Sequence, residues 1–271
     1  MTRYPVLLLH GMGFRDRKHF CYWGRLARLL RENGADVYFG YQDSNGSIES
    51  NARLIERAAL CALESSGAQK LNIIAHSKGG LEARYLISSM GWGDRIASLT
   101  TLSTPHNGSK TVDALLPILP EGVIRACCKA VDLWFRLLGD RSPDTFAAIC
   151  AFRTADAQRF NEANPDDPRV YYQSAGFVMK SARADMLMWL TYLCVRHFEG
   201  DNDGLLAPRA VMWTNYLGTF TGTGKRGISH CDETDLRRLP LAKKPPNADN
   251  EISDITEFYL GLVKQLGEMG L

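Results

Sequence analysis

Ser77 stands in the octad Ile73-Ile74-Ala75-His76-Ser77-Lys78-Gly79-Gly80, and its neighbours are those a nucleophilic hydroxyl needs. Leu71, Ile73, Ile74 and Ala75 read as a buried strand, while Leu81, Tyr85 and Met90 read as a helix that Gly91 can stop. Strand, sharp turn and helix together make a nucleophile elbow, which holds a serine exposed at the end of a sheet. The residues flanking the serine must be small, because the turn brings the strand and helix backbones close together. Ala75 stands where the usual G-x-S-x-G pattern has its first glycine, and alanine is still small. Nearer the start, the apolar run Tyr4-Pro5-Val6-Leu7-Leu8-Leu9 ends in His10-Gly11-Met12-Gly13. Such a run suits a central parallel strand buried on both faces. A strand ending in His-Gly can offer backbone N–H groups to the oxyanion of acyl transfer. The expected donors are Met12, after that glycine, and Lys78, after the serine.

A serine hydroxyl is a weak nucleophile, so it needs a base, and the base needs a third group to orient it. Six histidines are available. His10 and His76 belong to the two motifs above, His19 lies early in the chain, His106 falls in a loop, and His197 precedes every late acid. Only His230, in Gly227-Ile228-Ser229-His230-Cys231-Asp232, follows an acidic loop in the order serine, acid, histidine. The loop is Glu199-Gly200-Asp201-Asn202-Asp203-Gly204-Leu205-Leu206; Asp203 is the expected acid and Asp201 its competitor. Two other readings fail on spacing. An EF-hand aligned on Gly204 needs a glutamate where Ala210 stands. Gly222-Thr223-Gly224-Lys225 is no phosphate loop, since Thr219 and Arg226 occupy its first glycine and hydroxyl positions.

These residues need a scaffold, and periodicity supplies one. Tyr22, Trp23, Leu26, Leu29 and Leu30 share a helical face that Asn33-Gly34 ends, and Asp36–Gly40 reads as a short strand. Ile48, Ala52, Ile55, Ala59 and Leu63 form another amphipathic helix before the strand at Leu71. Ile96–Ser103 is a strand closed by Thr104-Pro105-His106-Asn107-Gly108. Arg169–Ala175 and a short stretch before Glu199 are further strand candidates, and Ile255 to Leu266 is a covering helix. Pro240 to Asn250 reads as a surface loop. Alternating strands and helices imply a mostly parallel sheet flanked by helices, an α/β fold in which residues 1–271 form one domain.

Between the strand ending near Ser103 and the next strand the chain is too long for a simple connection, so a helical cap or lid insertion is expected at about 107–165. Within it Val123, Ile124, Cys127, Val131, Trp134, Phe135 and Leu138 line one helical face, with Arg125, Lys129, Asp132 and Arg136 opposite. Such a helix either completes the core or forms a cover that offers an apolar wall to substrate, with Trp134 and Phe135 as the contact residues. A basic amphipathic helix of this type could also rest transiently on a lipid interface.

A length of 271 residues, 45% hydrophobic and 23% charged, is ordinary for one sizeable core. The net charge of +2 gives no reason to expect nucleic acid, and no apolar run is long enough for a transmembrane helix. Seven cysteines, an odd number without a C-x-x-C pair, read as free thiols. With Met1-Thr2-Arg3 leading straight into the first strand and no signal peptide visible, a cytoplasmic location is expected, or secretion if a leader has been removed.

The segments Pro5–Gly13, Tyr22-Trp23-Gly24, Ile74–Gly80, Thr101–Gly108, Asn202-Asp203-Gly204-Leu205 and Ile228-Ser229-His230 occur in the order found in bacterial true lipases. The chain resembles that family, which includes the Firmicutes triacylglycerol lipases of the α/β-hydrolase superfamily. The resemblance implies an α/β-hydrolase fold and a serine carboxylic-ester hydrolase acting on acylglycerols or other apolar esters. Its triad would be Ser77, Asp203 and His230, with Met12 and Lys78 as oxyanion donors. No cofactor is required for that chemistry. Many relatives bind a structural calcium near the histidine loop, and Asp232 matches one such ligand. The zinc-binding insert of some relatives has no room here. A short-chain esterase or polyesterase would use the same site, and a non-catalytic binding protein of this fold would have lost part of the triad.

Overall fold

The computed structural model describes residues 2–16, 22–243 and 245–271, so His19 and Cys21 lie outside the described residues. Seven strands form one parallel sheet: β1 (Val6–Leu9), β2 (Val37–Phe39), β3 (Leu71–His76), β4 (Ile96–Leu102), β5 (Tyr171–Phe177), β6 (Tyr216–Gly222) and β7 (Glu251–Ile252). They are ordered β2-β1-β3-β4-β5-β6-β7, so the expected strands at the two motifs, β1 and β3, are central neighbours.

Successive side chains of a strand face opposite sides of the sheet, and β1 shows why a continuous apolar run is needed there. Val6 and Leu8 pack into one core cluster with Trp23, Leu26 and Leu30, from α1 (Leu26–Glu32) and the turn before it, and with Tyr259 and Val263 of α10 (Ile255–Glu268). Leu7 and Leu9 pack into the other, with Ala52, Ile55 and Ala59 of α2 (Ile48–Ser66) and Leu86 of α3 (Lys78–Ile87). The ends of α2 are set chemically. Ser47 caps its first turn by accepting from the Ser50 N–H, and Gly67 leaves it at φ 68°, a left-handed conformation that glycine adopts without a Cβ penalty.

One strand expectation changes, and two strands were not anticipated. The stretch before Glu199 is the helix α8 (Trp189–Glu199), not a strand. Its short apolar run was ambiguous by periodicity, and Tyr192 and Val195, three positions apart, are the buried pair of a helical face. Strands β6 and β7 carried no alternation to find. Every residue of β6 except Gly222 is only half-buried, and β7 is two residues long.

The segment between β4 and β5 is helical, with α4 (Lys110–Leu115), α5 (Glu121–Leu137), α6 (Thr145–Cys150) and α7 (Thr154–Ala163). Helix α5 does not complete the core. Cys128 is its one buried residue among those described, and Leu133, Trp134 and Leu137 are 61%, 59% and 75% exposed. The helix is apolar over more of its circumference than the expected stripe, because Leu133 and Leu137 add to it. The remaining helix is the short α9 (Pro208–Val211).

Candidate active site

Ser77 follows β3 directly and caps α3 with φ 55° and ψ −130°, a strained conformation for a residue with a Cβ. Two bonds hold it there: its N–H donates to the Leu102 carbonyl at 2.8 Å, and Thr104 Oγ1 donates to its carbonyl at 2.7 Å. The small neighbours follow from close approach. A Cβ on Gly79 would lie 2.6 Å from the His10 carbonyl oxygen, and one on Gly11 would lie 2.8 Å from the Ser77 Cβ. The β1 turn is therefore pressed directly against the elbow. Among the described residues neither the Met12 nor the Lys78 amide donates to a protein acceptor, which leaves both N–H groups for another oxygen.

The other two expected residues meet each other. His230 Nδ1 and Asp203 Oδ2 are 2.8 Å apart, and the His230 N–H also donates to the Asp203 carbonyl at 2.8 Å. Asp203 Oδ1 accepts from the Leu205 and Leu206 amides, both at 2.8 Å. The Asp203 carboxyl is fully buried, which alone would push its pKa up. The His230 ring and the two amides outweigh that burial and hold it below the usual carboxylate range. Asp201 is 72% exposed and paired with Arg196 at 2.5 Å, so it plays no part in this contact. The His230 ring packs against His76, centroids 4.3 Å apart, and His76 is the residue before Ser77. The other described histidines are engaged elsewhere. His10 bonds the Gln42 carbonyl, His106 bonds Thr101 and stacks on Trp213, and His197 is exposed against Phe198.

Glu233 was not anticipated. Its buried carboxyl accepts from Ser103 Oγ at 2.9 Å, meets His76 Nε2 at 3.1 Å and lies 3.8 Å from His230 Nδ1. Burial, and then the nearby Asp203 carboxylate, push its pKa well up. His76 Nδ1 contacts the Tyr22 hydroxyl at 2.6 Å, and burial, with His230 and His10, holds this ring well below the ordinary histidine range. An acid three positions after a histidine is a common surface pattern, so nothing in the sequence marked this one as buried.

His76, His230 and Glu233 are close enough to suggest a metal cluster, but His230 Nδ1 faces Asp203, and His76 uses its two nitrogens on Tyr22 and Glu233. The trio is part of a hydrogen-bond network. Asp232 does not fit the calcium expectation. Arg237 Nε donates to its Oδ1 at 2.5 Å and the Ser229 N–H to its Oδ2 at 3.2 Å. Burial still lifts its pKa to about 6. Nearby Asp185 is used in the same way, by the Leu187 amide and the Ser229 hydroxyl. A guanidinium already neutralises the site.

An apolar cavity of about 470 Å³ lies between α4, α8 and the start of α5, walled by Leu115, Leu116, Leu119, Ile124, Leu190 and Val195. Leu205, two positions beyond Asp203, also lines it. Trp134 and Phe135, expected on the substrate wall, do not line it: α5 contributes Ile124 from its first turns, and Trp134 points to the surface.

The sequence model of the palmitoyl protein thioesterase family matches residues 5–180. Triacylglycerol lipase 2 of Saccharomyces cerevisiae is 32% identical over 262 residues, which cover 92% of this chain and 74% of the yeast protein. A triacylglycerol lipase of Pseudarthrobacter phenanthrenivorans is 32% identical over 177 residues, 60% of this chain and 54% of that one, so the match spans about half of the bacterial relative. The crystal structure of Staphylococcus hyicus lipase superposes with a TM-score of 0.70 at 16% identity, over 98% of this chain and 96% of that one. The parallel sheet with its strained serine turn is the α/β-hydrolase fold. Within that superfamily the chain belongs to the palmitoyl protein thioesterase family, whose model matches more than half of it, and to the lipases represented by the yeast relative.

Proposed function

We infer that this chain is a carboxylic-ester hydrolase that cleaves apolar acyl esters, acylglycerols among them, through an acyl-serine intermediate. The observation that carries the reading is the 2.8 Å His230–Asp203 contact beside the elbow that holds Ser77 at φ 55°. His230 takes the Ser77 proton as Oγ attacks the ester carbonyl, and Asp203 fixes the ring so that Nε2 is the basic nitrogen. The carbonyl oxygen gathers charge as the tetrahedral adduct forms, and the Met12 and Lys78 amides receive it. Collapse of the adduct breaks the carbonyl–alkoxy bond, and His230 returns its proton to the departing alcohol. Water, deprotonated by the same ring, then attacks the acyl-serine and releases the acid. No step calls on a metal or an organic cofactor, and a structural calcium is not expected to support turnover.

The 470 Å³ cavity supports an acyl chain as the apolar part of the substrate, in place of the Trp134–Phe135 wall. The helices of residues 107–165 serve as a cap in this reading. Leu133, Trp134 and Leu137 on α5 are exposed apolar side chains suited to transient contact with a lipid interface, and Met186 and Leu187 before α8 and Leu190 within it are exposed as well. No described helix is long and apolar enough to cross a membrane. Six described cysteines are free thiols, which supports a reducing compartment.

A p-nitrophenyl ester series from acetate to palmitate tests the reading. Turnover that rises with chain length supports the acyl cavity. Preference for acetate supports a short-chain esterase instead. Failure to hydrolyse any ester, with no labelling by a fluorophosphonate, would leave a binding protein of this fold.

A further inference from the structure

A single turn, residues 43–46, bonds the residue beside Met12 and the side chain of Lys78, and the same turn is bound to the helical insert. On one side, the Gly13 N–H, next to Met12, donates to Asn45 Oδ1 and to the Ser44 carbonyl, both at 3.2 Å. Lys78 Nζ, on the side chain of the second donor residue, reaches the Gly46 carbonyl at 2.9 Å and pairs with the buried Glu82. On the other side, the Asn45 N–H donates to Asp140 Oδ2 at 3.0 Å, and Asn45 Nδ2 donates to Thr145 Oγ1 at 2.9 Å. The Asp144 N–H donates to the Asn45 carbonyl at 2.7 Å, and Gly46 bridges Pro143 as a one-residue antiparallel pair. Asp43 Oδ2 accepts the Arg141 and Ser142 amides at 2.8 and 2.7 Å. Arg15, three residues past Met12, lies 3.3 Å from Asp140 and 3.9 Å from Asp43.

Asn45 is the hub of this arrangement, with its side-chain oxygen on the Met12–Gly13 turn and its side-chain nitrogen on α6. It is buried, and each of its hydrogen-bonding atoms, side chain and main chain, is used in a named bond. Resting on the hydrolase reading above, we propose that Asn45 is a positioning residue that aims the Met12 oxyanion amide, and that through it the segment after α5 sets the geometry of that amide. Such amides stabilise the tetrahedral adduct only when they are aimed at the place the charged oxygen will occupy. A small rotation of the Met12–Gly13 turn therefore weakens the transition state and leaves ground-state binding of the ester almost unchanged.

The test uses the full chain as wild type, Asn45→Ala and Thr145→Val, with p-nitrophenyl butyrate as substrate and phenylboronic acid as a tetrahedral mimic. In Asn45→Ala, kcat should fall about 10- to 100-fold, less than the roughly 10²- to 10³-fold cost of deleting an oxyanion donor. KM should stay within about twofold, and boronate affinity should fall by the same factor as kcat. Thr145→Val, which touches only the insert side of the contact, should show a smaller loss of the same kind, and it carries the test alone if Asn45→Ala does not fold. Unchanged kcat and boronate affinity in a folded variant would overturn the proposal. So would a loss of melting temperature with kcat and boronate affinity unaffected. A wild type that neither hydrolyses the ester nor reacts with a fluorophosphonate would overturn the hydrolase reading itself.

Discussion

The carboxyl end of the sheet and helix α5 are both rich in residues that could touch a substrate, yet they are built in opposite ways. At the sheet, Ser77, Asp203 and His230 are buried, and several bonds fix each backbone or carboxylate they depend on. Strain at Ser77 persists because the surrounding contacts over-determine it. In α5, the large side chains Leu133, Trp134 and Leu137 face outward, and one residue of the helix is buried. Chemistry requires reacting groups held to within fractions of an ångström, and the proposed site lies where packing is complete. The exposed apolar side chains of α5 have no such fixed place, which is what the proposed contact with a lipid surface requires.

The contrast predicts effects of very different size. Ser77→Ala should abolish both ester turnover and fluorophosphonate labelling; labelling that survives at another serine would move the nucleophile. Next, Asp203→Asn should lower kcat by about 10³–10⁴-fold by setting the wrong histidine tautomer. Asp201→Asn, at an exposed ion pair worth little, should leave kcat near wild type. A larger loss at Asp201 would undo the geometric assignment.

The buried acid should also appear in stability. The folded Asp203 carboxyl sits below its unfolded range, so its contribution is present above the unfolded pKa of about 3.9 and is lost as pH falls through the lower folded value. Melting temperature should fall with acidification below pH 4 in wild type, and less steeply in Asp203→Asn. An equal slope in the two proteins would show that the carboxyl is not tied to its partners in the folded state.

The smallest effect belongs to α5. Trp134→Ala and Leu137→Ala remove exposed surface, so each should change stability by no more than about 0.5 kcal/mol. Acetate turnover in water should be unchanged, while activity on emulsified long-chain esters should fall several-fold. A large drop in melting temperature would mean that α5 is core after all, since truncating a buried Trp costs about 3–5 kcal/mol.

Local pattern was enough for much of this molecule. The apolar runs at Val6–Leu9 and Leu71–His76, the small residues around Ser77 and the order of serine, acid and histidine are properties of neighbouring residues, and they located the sheet centre, the elbow and the candidate triad. What neighbours cannot encode is which distant groups meet. The sequence favours Asp203 and keeps Asp201 as its competitor; burial and a bond to a histidine 27 residues later set the two apart in space. Glu233 on His76, 157 residues earlier, and the link from Asn45 to Thr145, 100 residues away, depend on chain crossings that no periodicity records. The same holds for Trp134. An apolar stripe shows that a helix has a face to cover, but whether protein or something outside it does the covering is decided by the packing of the other helices.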